Sequence, residues 1–253
     1  SALVAAGVVP IASANDGAGS IRIPSSCCGL VGLKPSRGRL VHMDGTNLMP
    51  INIVCEGVVT RSVRDTAAFF AESEKYFKNK AMPEIGLVQP ISIKPLRILF
   101  FENISKGKLG HIDQDTSNTL AENAKLLESL GHKVDIIPFP FNIEDSLSDF
   151  ITYYGFLATA QVVITKNVDK SKLEPFTRGV SNHFKKNIWR FHSSIKCLRK
   201  TGFNFDQLFN SYDIIVTPVL AHETTKIGYL SATLRYEEIK KRLAGYHADN
   251  IFD

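Results

Sequence analysis

The 253 residues are 44 % hydrophobic and 22 % charged, enough apolar mass to bury a sizeable core in one large domain or two modest ones. This balance excludes general disorder, and with no run of eighteen apolar residues no membrane-spanning helix is expected. The formal charge of +5 is unevenly placed: between Glu174 and Asp206 there is no acid, while Arg178, Lys185, Lys186, Arg190, Lys196, Arg199 and Lys200 all fall there.

In chain order, residues 1–7 have a helical pattern and Val8–Ala12 that of a short apolar strand. Ser13–Ser20 reads as a Gly- and Ser-rich loop, residues 21–35 as a turn of small residues, and Gly38 to Val59 as irregular. A helix is expected from Val63 to about Lys78, with Ala67, Ala68, Phe70 and Ala71 inward, and Glu56, Arg61 and Asp65 serving packing and helix-start electrostatics. After a loop over Pro83–Pro95 comes a strand at 96–101, then a helix capped by Asp113 and stopped at Gly131. Leu120, Ala124, Leu127 and Leu130 share one face of that helix, and a strand at Lys133–Ile137 completes a βαβ-type unit. Residues 145–165 and 174–200 read as helices and Asp213–Val219 as a buried strand, so the fold class is α/β with part of the sheet parallel.

Phe184, Ile188, Phe191, Ile195 and Leu198, at steps of 4, 3, 4 and 3, predict one continuous helix with its apolar stripe on the core and its cations in water. A helix facing nucleic acid or membrane is the sharper alternative, and no Gly-rich loop or interleaved aromatic platform supports it. Cys27, Cys28, Cys55 and Cys197 lack metal-ligand spacing and fit a reducing, cytoplasmic setting. His42, His111, His132, His183, His192, His222 and His247 lack zinc-type pairing, so structural roles and no metal are expected. The N-terminus has no signal-peptide layout, and SALVAAG reads as helix interior from Ser1, leaving open whether the chain is whole or excised.

The chemistry-bearing segment is Ala14-Asn15-Asp16-Gly17-Ala18-Gly19-Ser20-Ile21-Arg22-Ile23-Pro24. Small residues let successive N–H groups turn to one side and a ligand approach the main chain, and a serine at the end of such a loop can sit where those groups converge. That arrangement suits acyl transfer, although a plain turn fits these residues equally; no phosphate-loop or dinucleotide pattern is present.

With its flanks, VAAGVVPIASANDGAGSIRIPSSCCGLVGLKPSRGRL closely resembles the signature of the amidase signature family. Asp16, Gly19, Ser20, Ile21, Arg22, Pro24, Cys28, Gly29, Gly32, Lys34, Pro35, Gly38 and Arg39 all land on its pattern, and TRSVRDTAAF and YDIIVTPVLA agree with later stretches. The resemblance implies an amide hydrolase with a Ser–Ser–Lys triad on a large mixed β-sheet surrounded by helices. It makes Ser20 the nucleophile and the N–H groups of Gly17, Ala18, Gly19 and Ser20 the oxyanion hole. Asp16 and Arg22, which flank the nucleophile, are expected to support the loop by an ion pair or hydrogen bonds. A second serine relays the proton to a lysine kept neutral by burial, and no cofactor is required. The implied partner is a small-molecule amide, not nucleic acid or a membrane, with a homodimer as the oligomer to consider.

Two departures stand out. Ala18 replaces the first glycine of G-G-S, which would strain a loop needing positive φ there. The relay serine and lysine belong upstream in the family, and Lys34 in GLKP reads as a turn or packing residue. The chain is therefore expected to be a fragment, residues 1–253, of a single amidase signature domain, inactive alone. Asn15-Asp16 and Ser26-Cys27-Cys28-Gly29 are similar to the 6-aminohexanoate cyclic-dimer hydrolase branch, which implies cyclic amides as substrates. The alternatives are a glutaminase subunit of an amidotransferase and a non-catalytic binding module using the basic helix 183–200.

Overall fold

The computed structural model describes residues 1–89, 94–103, 112–140 and 143–229, with 234 and 238. It divides into two compact units, Ser1–Ile93 and Lys94–Asp253. His111 and His247 lie outside the described residues.

In the first unit a short helix α1 (Ala2–Ala5) precedes strand β1 (Ile11–Asp16), along which Ala12, Ala14 and Asp16 turn inward and their neighbours outward. The strand starts later than the apolar pattern at Val8–Ala12 suggested and takes up half of the expected loop. Gly7, at φ +75°, turns the chain before it, and Pro10 has no N–H for a ladder. Helix α2 (Arg22–Cys27) and strand β2 (Val31–Leu33) occupy the stretch expected to be a turn. Strand β3 (Cys55–Thr60), placed in the irregular region by sequence, is the centre of the antiparallel sheet β1-β3-β2. Its register sets Asp16 opposite Cys55 and Ile11 opposite Thr60, with Val31 facing Thr60 from the other side.

Glycines caused these misreadings. A Cβ on Gly57 would stand 2.8 Å from Ile21 Cδ1 and 2.9 Å from the Leu33 carbonyl oxygen; one on Gly32 would stand 2.7 Å from Ser25 Cβ. Both glycines permit close approach inside packed structure, where sequence reads a breaker.

Helix α3 (Val63–Tyr76) starts as expected, the Ser62 hydroxyl accepting from the Asp65 N–H at 3.1 Å. Its buried stripe is Thr66, Phe70 and Glu74 rather than an alanine face; Ala68 is exposed. The buried Glu74 carboxylate accepts from the N–H groups of Gly86 and Ile85 and from Arg39, so an acid ties the loop after α3 back onto it. Arg61 Nη1 donates to the carbonyls of Val4 and Val9 and fixes the segment around α1.

The second unit is built on strand β4 (Arg97–Phe101), flanked in parallel by β5 (Lys133–Ile137) and β6 (Ile214–Val216). Helix α4 (Gln114–Ser129) makes the βαβ crossover and carries the expected Asp113 cap, with Gly131 at φ +89° beyond its end. Ile98 and Phe100 pack with Leu120, Ala124 and Leu127 on one face, while Leu99 and Phe101 pack with Phe139, Phe205 and Ile215 on the other. Leu130 leaves this face and is 64 % exposed, because it lies at the C-cap. Strand β6 has three residues instead of the expected seven, and as an edge strand it leaves Ile214 exposed.

Helices α5 (Ile143–Ile164), α6 (Pro175–Lys186) and α7 (Phe191–Leu208) complete this unit. Tyr153, Phe156, Phe184 and Phe191 join them, with ring centroids 4.5 Å apart for Phe156–Phe191 and 5.6 Å for Phe156–Phe184. The single basic helix expected over 183–200 is in fact two. Asn187 ends α6, its side chain donating to the His183 carbonyl, and a 3-10 turn at Ile188–Arg190 follows. Ile188 is consequently 59 % exposed instead of lying on a core stripe. The run Ser146–Ile164 has mean hydropathy 1.2 and is long and apolar enough to cross a membrane by length and composition, which a count of uninterrupted apolar residues missed. Here α5 packs on α6 and α7, with Tyr153 buried and the Asp149 carboxylate accepting from Ser194 Oγ at 2.7 Å.

A Cβ added at Gly155 on α5 would collide with the Val180 carbonyl and approach Phe184 Cβ at 2.9 Å, whereas one at Gly202 on α7 would meet nothing within 4 Å. Gly155→Ala is expected to destabilise the chain by about 1–3 kcal/mol through overpacking. Gly202→Ala is expected to stabilise it by up to ~1 kcal/mol by removing a helix-interior glycine. Urea unfolding of both variants checks the opposite signs.

Candidate active site

The site grows from the last residue of β1. Asp16 has no solvent exposure, and five N–H groups converge on its carboxylate. The Gly19 N–H donates to Oδ1 at 2.7 Å; the N–H groups of Ile21 and Arg22 donate to Oδ2 at 3.3 and 3.4 Å. The Arg22 guanidinium closes the ring, Nε donating to Oδ2 at 2.8 Å and Nη2 to Oδ1 at 2.9 Å. An isolated buried carboxylate would be strongly disfavoured, and this set of donors reverses the penalty. Burial raises the Asp16 pKa, but the Arg22 and Gly19 hydrogen bonds and the Arg22 charge outweigh it and lower the value from 3.8 to about 2. The same bond to Asp16 raises the Arg22 pKa against its own burial.

Residues 17–20 are thereby looped around one carboxylate. The left-handed position is Gly19, at φ +114°, while Ala18 does not adopt positive φ. The strain considered for Ala18 is absent because the glycine retained in the motif takes the demanding conformation. A Cβ on Gly19 would also fall 2.6 Å from Ile23 Cδ1. Of the four N–H groups expected to line an oxyanion hole, that of Gly19 is committed to Asp16, whereas those of Gly17, Ala18 and Ser20 make no hydrogen bond among the described residues. Ser20 is exposed at the end of the loop, and among the described residues no side chain hydrogen-bonds its hydroxyl. Lys34 Nζ donates elsewhere, to the Pro35 carbonyl at 3.2 Å and Cys55 Sγ at 3.4 Å.

Sequence reasoning missed the layer beneath this loop. Buried Ser25 donates from Oγ to the Ile21 carbonyl at 2.8 Å, and Gly32 and Gly57 let β2 and β3 close against Ser25 and Ile21. The signal was present as glycines and serines, residue types that also describe a turn. On β3, opposite Asn15, Glu56 has a buried Oε1 with no hydrogen-bond partner. Among the described residues no group of three His, Cys, Asp or Glu could hold a metal ion.

Comparison with known proteins follows the same outline. A family model described as Amidase matches residues 1–247. A putative amidase AmiC from Mycobacterium leprae is 42 % identical over 255 residues, covering 98 % of this chain and 53 % of that protein. A 6-aminohexanoate-cyclic-dimer hydrolase from Pseudomonas sp. (strain NK87) is 34 % identical over 166 residues, covering 60 % of this chain and 32 % of its own. Among solved structures, 6-aminohexanoate cyclic dimer hydrolase superposes with a TM-score of 0.77 at 23 % identity, over 99 % of this chain and 57 % of that one. This likeness shows a shared mixed α/β fold. The chain spans about half the length of the curated AmiC relative it matches.

Because the Asp16 pKa is lowered on folding, its stabilisation is complete above about pH 4 and fades as the pH falls through about 2. A lowering from 3.8 to about 2 corresponds to ~2 kcal/mol. Asp16→Asn is therefore expected to lose about 2 kcal/mol at pH 7 and progressively less between about pH 4 and pH 2. Urea titrations of both proteins across that range measure the convergence.

Proposed function

The chain belongs to the amidase family, and on that premise we propose that it carries the nucleophile of an amide hydrolase, Ser20. The observation that carries this reading is the Asp16 clasp. It leaves an exposed serine hydroxyl beside three N–H groups, those of Gly17, Ala18 and Ser20, that bond to nothing else among the described residues.

In the proposed reaction Ser20 Oγ attacks the amide carbonyl carbon while its proton passes to a base. A C–O bond forms, and the carbonyl electron pair moves onto oxygen, where the free N–H groups receive it. Collapse restores the carbonyl and breaks the C–N bond, and the amine departs with the proton. Water then cleaves the acyl-serine ester and returns Ser20. An unassisted serine hydroxyl is a weak nucleophile, and Lys34 is occupied by Pro35 and Cys55. We assign deprotonation to a second serine and a neutral lysine that the described residues do not place beside Ser20, and the whole protein's activity to a chain that supplies them. Asp16 and Arg22 position the loop without touching substrate.

The substrate is a small amide. A cyclic one, of the kind named for the Pseudomonas relative at 34 % identity, is the reading supported by the Asn15-Asp16 and Ser26-Cys27-Cys28-Gly29 variants. The glutaminase-subunit alternative has no separate observation in its favour. The binding-module alternative loses its continuous basic face at the Asn187 break. Four unpaired thiols support a reducing, cytoplasmic setting.

A fluorophosphonate probe is expected to label Ser20 in a protein that supplies the relay serine and lysine, and Ser20→Ala to abolish both labelling and amide hydrolysis. Gly19→Ala should cost on the order of 10² or more in turnover by displacing the loop, a loss comparable to removing an oxyanion donor. Ala18→Gly should leave turnover nearly unchanged. Residues 1–253 alone should show negligible hydrolysis. Full activity in the Ser20→Ala protein, or Ser20-dependent hydrolysis by residues 1–253 alone, contradicts the reading.

A further inference from the structure

Helices α5 and α6 touch where Gly155 meets Val180 and enclose a cavity of about 270 Å³ further along. Its walls have two characters. Val162, Val163 and Leu173 supply an apolar surface, while Lys170, Arg178 and Lys185 bring three cations to it from the α5–α6 link and from two turns of α6. No acid lines the cavity. Among the described residues none of these three cations takes part in an ion pair. The nearest acid in sequence to Lys170, Asp169, accepts from the Ser171 N–H and hydroxyl and pairs with Lys172. Ser181 also lines the cavity; it is 8 % exposed, and its hydroxyl makes no hydrogen bond among the described residues.

Three like charges around one concavity repel unless an anion answers them, and an apolar wall beside them favours an anion with a hydrocarbon tail over a bare one. The volume holds roughly nine water-sized groups at about 30 Å³ each. That is the size of an unbranched carboxylate of six to eight carbons. We propose that this cavity binds such an aliphatic carboxylate, its head group between Arg178, Lys185 and Lys170 within reach of the Ser181 hydroxyl, and its chain against Val162, Val163 and Leu173. The inference uses no part of the amide-hydrolase reading, and either can fail without the other.

Calorimetric titration of the 253-residue chain with sodium octanoate is the test, with hexylammonium chloride, 1-hexanol and inorganic phosphate as comparisons. Octanoate is expected to bind with 1:1 stoichiometry, and the other three at least tenfold more weakly. The double variant Arg178→Gln/Lys185→Gln should weaken octanoate at least tenfold, and Val163→Glu should do the same by placing a carboxylate in the cavity while keeping every cation. All three positions are exposed or peripheral to the core, and circular dichroism identifies any variant that fails to fold; in that event the remaining variant decides. Octanoate binding that is undetectable at millimolar concentration, unchanged in a folded variant, or matched by hexanol or hexylammonium overturns the proposal.

Discussion

The arrangement at Ser20 depends on one buried carboxylate. Asp16 stands at the end of a strand, fully removed from water, and binds the N–H groups of Gly19, Ile21 and Arg22 together with the Arg22 guanidinium. Burying a charge is costly, and removing one partner of a buried pair typically costs about 3–5 kcal/mol because the other is left uncompensated. The loop has little freedom to take another path without forfeiting several of these bonds at once. Rigidity of this kind is what an oxyanion site requires, since donors that must reorganise during reaction lose much of their effect.

Around the clasp, the first unit is shaped by side chains that are missing. Gly57 and Gly32 let β3 and β2 come against Ile21 and Ser25, and Gly19 supplies the one positive-φ turn inside the loop. A methyl group at any of these positions would press on the segment that Asp16 organises. The sheet and the loop are thus one packing problem: β1 ends at Asp16 because its ladder to β3 ends at Cys55, and Cys55 in turn receives the Lys34 ammonium.

Much of this was legible in the sequence, and the gaps have physical causes. Helix α3, helix α4 with its Asp113 cap, and the βαβ unit followed directly from periodicity and capping, which are local signals. Asp16, Ser20 and Arg22 were singled out by motif, and the structure brings Asp16 and Arg22 into contact. Strand β3 was missed because Gly57 looks like a breaker unless one knows what packs against it. The Gly19 N–H was expected to face a ligand and instead faces Asp16, a distinction that a list of small residues does not encode. The basic helix was read as continuous because Asn187 is tolerated in helices, whereas here its side chain bonds back to His183 and ends one.

The most direct test of the central claim is amide hydrogen exchange at Gly19 and Ile21, followed by NMR in the wild-type chain and in Asp16→Ala. If the carboxylate holds the loop, both amides are protected in the wild type. Protection should be lost in the variant while the amides of Val58 and Val59 in the central strand keep theirs. Unchanged protection of Gly19 and Ile21 in a folded Asp16→Ala chain would contradict the account.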